Sequence, residues 1–168
     1  MSKIIARSFS RTAFSIFMAV AAICSHAKAT SSGNMKVHVL RMTAGEDPRT
    51  KLESFVAEKK MNAAIVLSAV GSLTTATFRY ANQSKTETLT GHFEIVSLSG
   101  TLSVLGGSHL HMSVSDEKGK TVGGHLTEGS KVYTTLEIAI GEISDVQFTR
   151  EVDPVTTYKE LKITPNKK

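Results

Sequence analysis

The chain has 168 residues, which is enough for one domain of ordinary size and too few for two well-packed domains with a linker. Its 40% hydrophobic content and 7 Phe argue against a disordered chain, and its single Cys excludes a disulfide within one molecule. The formal net charge of +5 is concentrated at the N-terminus, because residues 1–29 hold four basic residues and no acidic one, which leaves 16 basic and 15 acidic residues beyond them. A nearly neutral remainder lacks the charge on which nonspecific nucleic-acid binding depends.

The first 29 residues have the layout of a secretory signal peptide. A basic start precedes an apolar run from Ala13 to Cys24, which is shorter than the roughly 20 residues needed to cross a bilayer. Small residues at Ala27 and Ala29 match the positions that signal peptidase reads. We therefore predict cleavage after Ala29 and a secreted or periplasmic protein without membrane contact after cleavage. A mitochondrial presequence and a retained membrane anchor are the alternatives.

The mature chain begins with a predicted strand at residues 35–42, which are rich in β-branched side chains. The strand is followed by a helix with Asp47 at its N-cap and Pro48 at its first position, where the missing N–H of proline costs nothing. Apolar residues at near-helical spacing through Lys60 predict an amphipathic helix of three to four turns.

Beyond the helix the apolar pattern changes to alternation, which is typical of strands. The predicted strands cover residues 64–70, 75–80, 86–90, 93–98, 101–105, 109–115, 121–126, 132–140 and 147–150. A polar tail follows Asp153-Pro154, and residues 164–168 are expected to be frayed and flexible. One helix, many short strands and no repeat predict a single α+β domain with a mostly antiparallel sheet.

The most informative segment is a predicted hairpin around Gly119. A three-residue loop that ends at Gly119 pairs Asp116 with Lys120, and counting back along both strands places His111 opposite His125. His109 lies on the same face as His111, because residues two apart on a strand point the same way. The opposite face carries only apolar or small residues: Leu110, Met112, Val114, Val122, Gly124 and Leu126.

The three histidines of this hairpin are within reach of one ion, since their Cβ atoms are expected about 5–7 Å apart. Three neutral imidazoles with an open fourth position are a ligand set of catalytic zinc, and other first-row metals accept it. The spacing therefore predicts a site for a divalent metal at His109, His111 and His125. A solvated polar face without an ion is the alternative. His38 and His92 are isolated and are expected to be ordinary polar residues.

Two glutamates and two arginines are further candidate residues. Glu94 and Glu137 alternate with apolar neighbours on predicted strands, so either carboxylate could serve as general acid or base if its face also carries the histidines. A solvent-facing Glu on an exposed sheet is the alternative for both. Arg79 and Arg150 also lie on strands, where they could pair with a ligand carboxylate or form surface ion pairs.

The order of the motifs resembles the PPC domain family, also called DUF296. The matching segments extend over residues 35–163, with Thr157 at a position where bacterial members usually carry Gly. They are Gly71-Ser72-Leu73, Gly91 to Gly100, His109-Leu110-His111, Asp116 to Gly119, Val122 to Leu126, Glu137-Ile138 and Phe148-Thr149-Arg150 with Asp153 and Thr156.

The resemblance implies an α+β fold in which a mostly antiparallel sheet, or partly open barrel, packs with one main helix. It also implies a homotrimer, the form of the prokaryotic members. The fold is shared with acetolactate decarboxylase and related zinc proteins, whose three metal-binding His map onto His109, His111 and His125. Plant members carry an AT-hook with an Arg-Gly-Arg core, a tripeptide that is absent from this sequence.

These observations give one principal hypothesis and two alternatives. The principal hypothesis is an exported homotrimer that binds a divalent metal, expected to be zinc, and acts on a small carbonyl or carboxylate compound with Glu94 or Glu137 as proton carrier. The alternatives are a non-catalytic binding module and a DNA-binding protein, the function that the family label suggests. The near-neutral mature charge argues against nucleic acid as a partner.

Overall fold

The computed structural model describes residues 33–166, so the predicted signal peptide lies outside the described residues. Among residues 33–166, no helix is long and apolar enough to span a membrane. The elements in chain order are β1 (Met35–Thr43), α1 (Pro48–Glu58), β2 (Ala64–Arg79), β3 (Thr86–Ser103), β4 (Gly107–Ser115), β5 (Thr121–Leu126), β6 (Lys131–Ile143), β7 (Val146–Val152) and β8 (Lys159–Pro165).

Six of the strands form one antiparallel sheet in the order β1-β6-β2-β3-β4-β5. The sheet curls so that β5 also pairs with the end of β2, through Phe78 with Leu126 and Arg79 with His125. Strands β2 to β5 therefore form a partly closed barrel, and β7 and β8 form a separate two-stranded sheet. The predicted α+β class with a mostly antiparallel, partly open barrel and one main helix is confirmed.

The helix begins where its capping residue predicts. One carboxylate oxygen of Asp47 accepts hydrogen bonds from the backbone N–H groups of Arg49 and Thr50, while the other accepts one from Gly129. Asp47 thus satisfies free donors at the helix start and ties the helix to the loop before β6. The helix ends at Glu58, two residues before the predicted end, because Lys60 adopts a left-handed φ of 54°.

The long strands β2 and β3 correct the predicted pattern of shorter strands. The breaks expected after Val70 and Leu98 do not occur, because the chain continues as strand through Gly71 and Gly100. A Cβ on Gly100 would lie 2.0 Å from the carbonyl oxygen of His109, so the absent side chain lets β4 pair closely at this point. Glycine therefore permits close strand contact here rather than ending the strand.

The core lies between the inner face of the barrel and the helix. Its largest fully buried side chains include Phe78, Leu110, Met112 and Leu126, together with Leu52 of α1. The apolar face predicted for the hairpin is therefore the face that packs inward. The polar face of β4 and β5, which carries the histidines, is left on the outside of the barrel.

The C-terminal strand β8 was not expected from the sequence. Thr164 and Pro165 pair with Gln147 and Val146, although their polar surroundings in the sequence predict frayed residues from Thr164 onward. The alternation of Glu160, Leu161, Lys162 and Ile163 is the signal that indicates a strand here.

Candidate metal centre

The predicted register of the β4–β5 hairpin is confirmed from Ser115, which pairs with Thr121, to His111, which pairs with His125. The backbone N–H of Asp116 donates to the carbonyl oxygen of Lys120, and Gly119 closes the loop with a φ of 78°. This turn fixes the alignment of the two strands. Both His111 and His125 are therefore held on the outer face of the barrel.

The three histidines converge at their ring nitrogens. Nε2 of His111 lies 3.2 Å from Nε2 of His109 and 3.0 Å from Nδ1 of His125. One nitrogen of each ring lies within 4.8 Å of the others, and the ring centroids are 4.3 to 5.1 Å apart. His111 is exposed, whereas His125 is half-buried.

The electrostatic surroundings favour neutral imidazoles. Burial and the charges of Arg79 and His111 lower the pKa of His125 to about 4. Burial and the charge of Arg150 are the main causes that lower the pKa of His109, and the carboxylate of Glu160 opposes them. A neutral imidazole keeps the lone pair that a metal ion requires, so this environment suits ligands better than protonated bases.

Two of the three separations between the ring nitrogens match those around a tetrahedral metal ion. Zinc binds imidazole nitrogen at about 2.0–2.1 Å, which places two ligand nitrogens about 3.3 Å apart. The two measured separations at His111, 3.2 Å and 3.0 Å, are close to this value. Three protein ligands on an exposed sheet face leave a fourth position open to a water molecule or a substrate.

The two glutamates singled out from the sequence do not contact this cluster. Glu94 pairs with Ser115 and shares the histidine face, but Ser115 is four residues beyond His111, or about 13 Å along the strand. Glu137 lies between Arg41 and Val70 on the part of the sheet formed by β1, β6 and β2. A role as proton carrier stays a prediction for both residues.

The two candidate arginines are brought close to the histidines by strand pairing. Arg79 in β2 is the direct neighbour of His125, and Nη2 of Arg150 donates to Oγ1 of Thr101, the residue paired with His109. The sequence predicts that both arginines could contact a ligand, but it does not predict that they lie near the histidines. Glu160, whose charge acts on His109, was missed because it lies in the unexpected strand β8.

Comparisons with known proteins place the fold in a described family. The model of the Plants and Prokaryotes Conserved (PCC) domain matches residues 29–144. The chain is 43% identical over 132 residues to the bifunctional protein GlmU of a Synechococcus species, which covers 79% of this chain. The chain spans about a fifth, 21%, of the length of that curated relative.

Two solved structures are similar over most of the chain. A protein from Salmonella cholerae-suis has 39% identity and a TM-score of 0.79, covering 81% of this chain and 98% of its own. A metal-containing protein from Archaeoglobus fulgidus has 28% identity and a TM-score of 0.66, covering 77% of this chain and 95% of its own.

Proposed function

This chain belongs to the Plants and Prokaryotes Conserved domain family, the PPC family that its motifs resemble, and from that premise we propose that it is an exported metal-binding protein. One divalent ion, zinc, is held by His109, His111 and His125, with a fourth position open to a small molecule. The observation that carries this proposal is the convergence of three ring nitrogens on the outer face of the barrel.

Hydrogen bonding alone does not account for this convergence. A neutral imidazole nitrogen carries either one hydrogen or one in-plane lone pair, so it forms one good hydrogen bond. Nε2 of His111, however, lies within 3.2 Å of ring nitrogens on both His109 and His125. A shared cation satisfies both contacts, because each ring then directs one lone pair at the same point. The metal-containing protein of Archaeoglobus fulgidus, which has the same fold, adds support.

A bound divalent ion would supply Lewis-acid chemistry towards a carbonyl or carboxylate oxygen at the open position. The histidines contribute a neutral ligand set, and the surrounding hydroxyls of β3 and β4 contribute polar contacts such as Ser97 to Ser113, 2.7 Å apart. Glu94 pairs with Ser115, four residues along β4 from His111. Proton transfer by Glu94 at the metal site therefore requires either a bound molecule long enough to reach its carboxylate or a Glu94 from a neighbouring subunit.

The proposal includes a homotrimer. Val37, Val39 and Val70 are 53%, 79% and 60% exposed on one face of β1, β6 and β2, the face that also carries Glu137. Clustered exposed apolar side chains of this kind favour self-association. Size-exclusion chromatography with light scattering measures the mass, and a monomer at micromolar concentration would contradict this part.

Export is the remaining part of the proposal. It is supported by the basic, apolar and small-residue segments of the leader. N-terminal sequencing of the mature protein should give Thr30 as its first residue. An intact Met1 in the cytoplasm would contradict export and would favour the DNA-binding alternative. In that case, retention on duplex DNA at physiological salt is the direct measurement.

Elemental analysis of protein purified without a His tag tests the metal site. We expect about one zinc per chain in the wild type, and less than about a tenth in His111→Ala, whose fold should persist because the core packs on the other face of β4. His92→Ala is the matched control, since His92 is exposed and lies against Tyr133 away from the cluster. Wild-type protein that stays below a tenth of an equivalent after zinc is supplied would overturn the proposal.

A further inference from the structure

Two arginines flank the histidine cluster from opposite sides. Across the barrel the strand order is β3, β4, β5 and β2, and the three histidines occupy the two middle strands. Arg79 of β2 pairs directly with His125, so their side chains leave the same face about 5 Å apart at Cβ. On the other side, Arg150 reaches in from β7 and its Nη2 lies 2.9 Å from Oγ1 of Thr101, the partner of His109.

Arg79 and Arg150 are both half-buried residues. Among residues 33–166, neither Arg79 nor Arg150 has a carboxylate oxygen within 4.0 Å. Within the same residues each donates one hydrogen bond, from Nη1 of Arg79 to the carbonyl oxygen of Gln83 and from Arg150 to Thr101. An arginine has five N–H donors, so most of them remain available at each group.

The charge around the cluster is positive. The carboxylate whose charge acts on His109 is that of Glu160, and its Oε1 accepts a hydrogen bond from Thr156. One carboxylate therefore faces two guanidinium groups, and a divalent ion at the histidines would add further positive charge. Such a surface attracts anions, and the planar fork of arginine matches the oxygens of a carboxylate or phosphate.

We propose that the site takes a small molecule that carries carboxylate or phosphate groups, with one oxygen at the open metal position and others accepting hydrogen bonds from Arg79 and Arg150. This inference rests on the proposed metal site and names the chemical class of its ligand. Because the two guanidinium groups lie on opposite sides of the histidines, a molecule with two anionic ends can engage both. Malonate is therefore the first probe, and inorganic phosphate is the second.

Isothermal titration calorimetry on zinc-loaded protein tests the proposal, with the zinc content of every sample measured beforehand. We expect malonate or phosphate to bind the wild type, and malonamide, the neutral analogue of malonate, not to bind. Arg79→Gln and Arg150→Gln should each weaken anion binding about tenfold or more while zinc content stays at the wild-type level. Tighter binding of malonate identifies a carboxylate ligand, and tighter binding of phosphate identifies a phosphate ligand.

Lys36→Gln is the matched control, because Lys36 is an exposed cation on β1, paired with Glu142 away from the histidines and on the opposite face of the strand from Val37 and Val39. It removes the same charge and should leave anion affinity unchanged. Arg79→Lys, which keeps the charge but loses the fork, should bind with intermediate affinity. If Arg79→Gln fails to fold by circular dichroism, Arg150→Gln alone decides.

Equal anion affinity in the wild type, Arg79→Gln and Arg150→Gln at full zinc content would overturn this inference and leave the metal site intact. Binding of malonamide as tightly as malonate would overturn it as well. Loss of zinc from the wild type itself would instead count against the proposed function, so the two failures are distinguishable.

Discussion

His111 and His125 are direct partners across β4 and β5, and Nε2 of His111 lies 3.0 Å from Nδ1 of His125. The pairing is set by a tight turn that is only a few residues away, so backbone hydrogen bonds fix the points at which the two side chains leave the sheet. A ligand pair whose backbone positions are already fixed has only its side-chain torsions to order when it binds an ion.

Zinc should stabilise the folded protein. A ligand at about 100 times its Kd adds about 2.7 kcal/mol to the free energy of unfolding, which raises Tm by roughly 5–10 °C for a domain of this size. Differential scanning fluorimetry with zinc, followed by EDTA, measures the shift and its reversal. His125→Ala should abolish the zinc-dependent shift, and His92→Ala should retain it. A full shift in His125→Ala would mean that zinc binds elsewhere.

Replacing Gly123 should disturb the metal site through the backbone. A Cβ at this position would lie 2.5 Å from the carbonyl oxygen of Met112 and 2.9 Å from Cα of Ser113, so β4 and β5 must move apart beside the paired histidines. We expect Gly123→Ala to weaken zinc binding about tenfold or more, because displacement of His111 relative to His125 degrades the ligand geometry. A competition titration with a chromophoric chelator gives the Kd.

Gly119→Ala is the control for that substitution. Gly119 has a φ of 78° and no atom within 4 Å of an added Cβ. The variant should lose about 1–2 kcal/mol of stability from the left-handed conformation and bind zinc with nearly unchanged affinity. If both glycine variants lose the same zinc affinity, strand separation at Gly123 is not the cause.

Glu46 should make folding stability depend on acid pH. Its hydrogen bonds to Lys51 and to the backbone N–H of Thr43 lower the pKa of Glu46 from 4.5 to about 2. A carboxyl group whose pKa is lowered by folding stabilises the protein above its unfolded pKa, and this contribution is lost as the pH falls from about 4.5 to about 2.

Urea unfolding of Glu46→Gln across this pH range measures that contribution. The variant should be less stable than the wild type at pH 7 by about 1 kcal/mol, a modest value because the ion pair is partly exposed to water. The difference should shrink towards zero near pH 2. A difference that stays constant from pH 7 to pH 2 would show that the effect is not ionic.

Thr157 should be a source of strain. It adopts a φ of 64°, a left-handed conformation that is unfavourable for a β-branched side chain, at the position where the family resemblance leads one to expect Gly. Thr157→Gly should therefore raise the free energy of unfolding by about 1 kcal/mol, seen as a higher urea midpoint at an unchanged slope. Thr149→Gly, within β7, should lower it by about 1 kcal/mol. Lower stability in Thr157→Gly would rule out the strain.

Features that depend on residues close in sequence were predicted correctly, whereas features that depend on neighbouring strands were not. The Asp47 cap, the left-handed Gly119 and the pairing of His111 with His125 were all predictable, because each depends on residues close in sequence. The strand breaks predicted at Gly71 and Gly100 were wrong. Glycine is present at both positions because the backbone of a neighbouring strand leaves no room for a side chain, and not because the strand ends there. Strand β8 was overlooked because its alternation is short and mostly charged.

The sequence by itself determined a trio of histidines on one face of a hairpin, because alternation along a strand and a tight turn together fix which side chains share a face. The spacing of apolar residues after the Asp47 cap determined the single helix, and the family followed from the motifs that the sequence resembles. Only the tertiary structure decided what surrounds that trio. Closure of the barrel places Arg79 beside His125, and the separate β7–β8 sheet brings Arg150 towards Thr101. These contacts join residues 46 and 49 positions apart in the chain, and no local pattern encodes them, since they arise from the way the whole sheet curls.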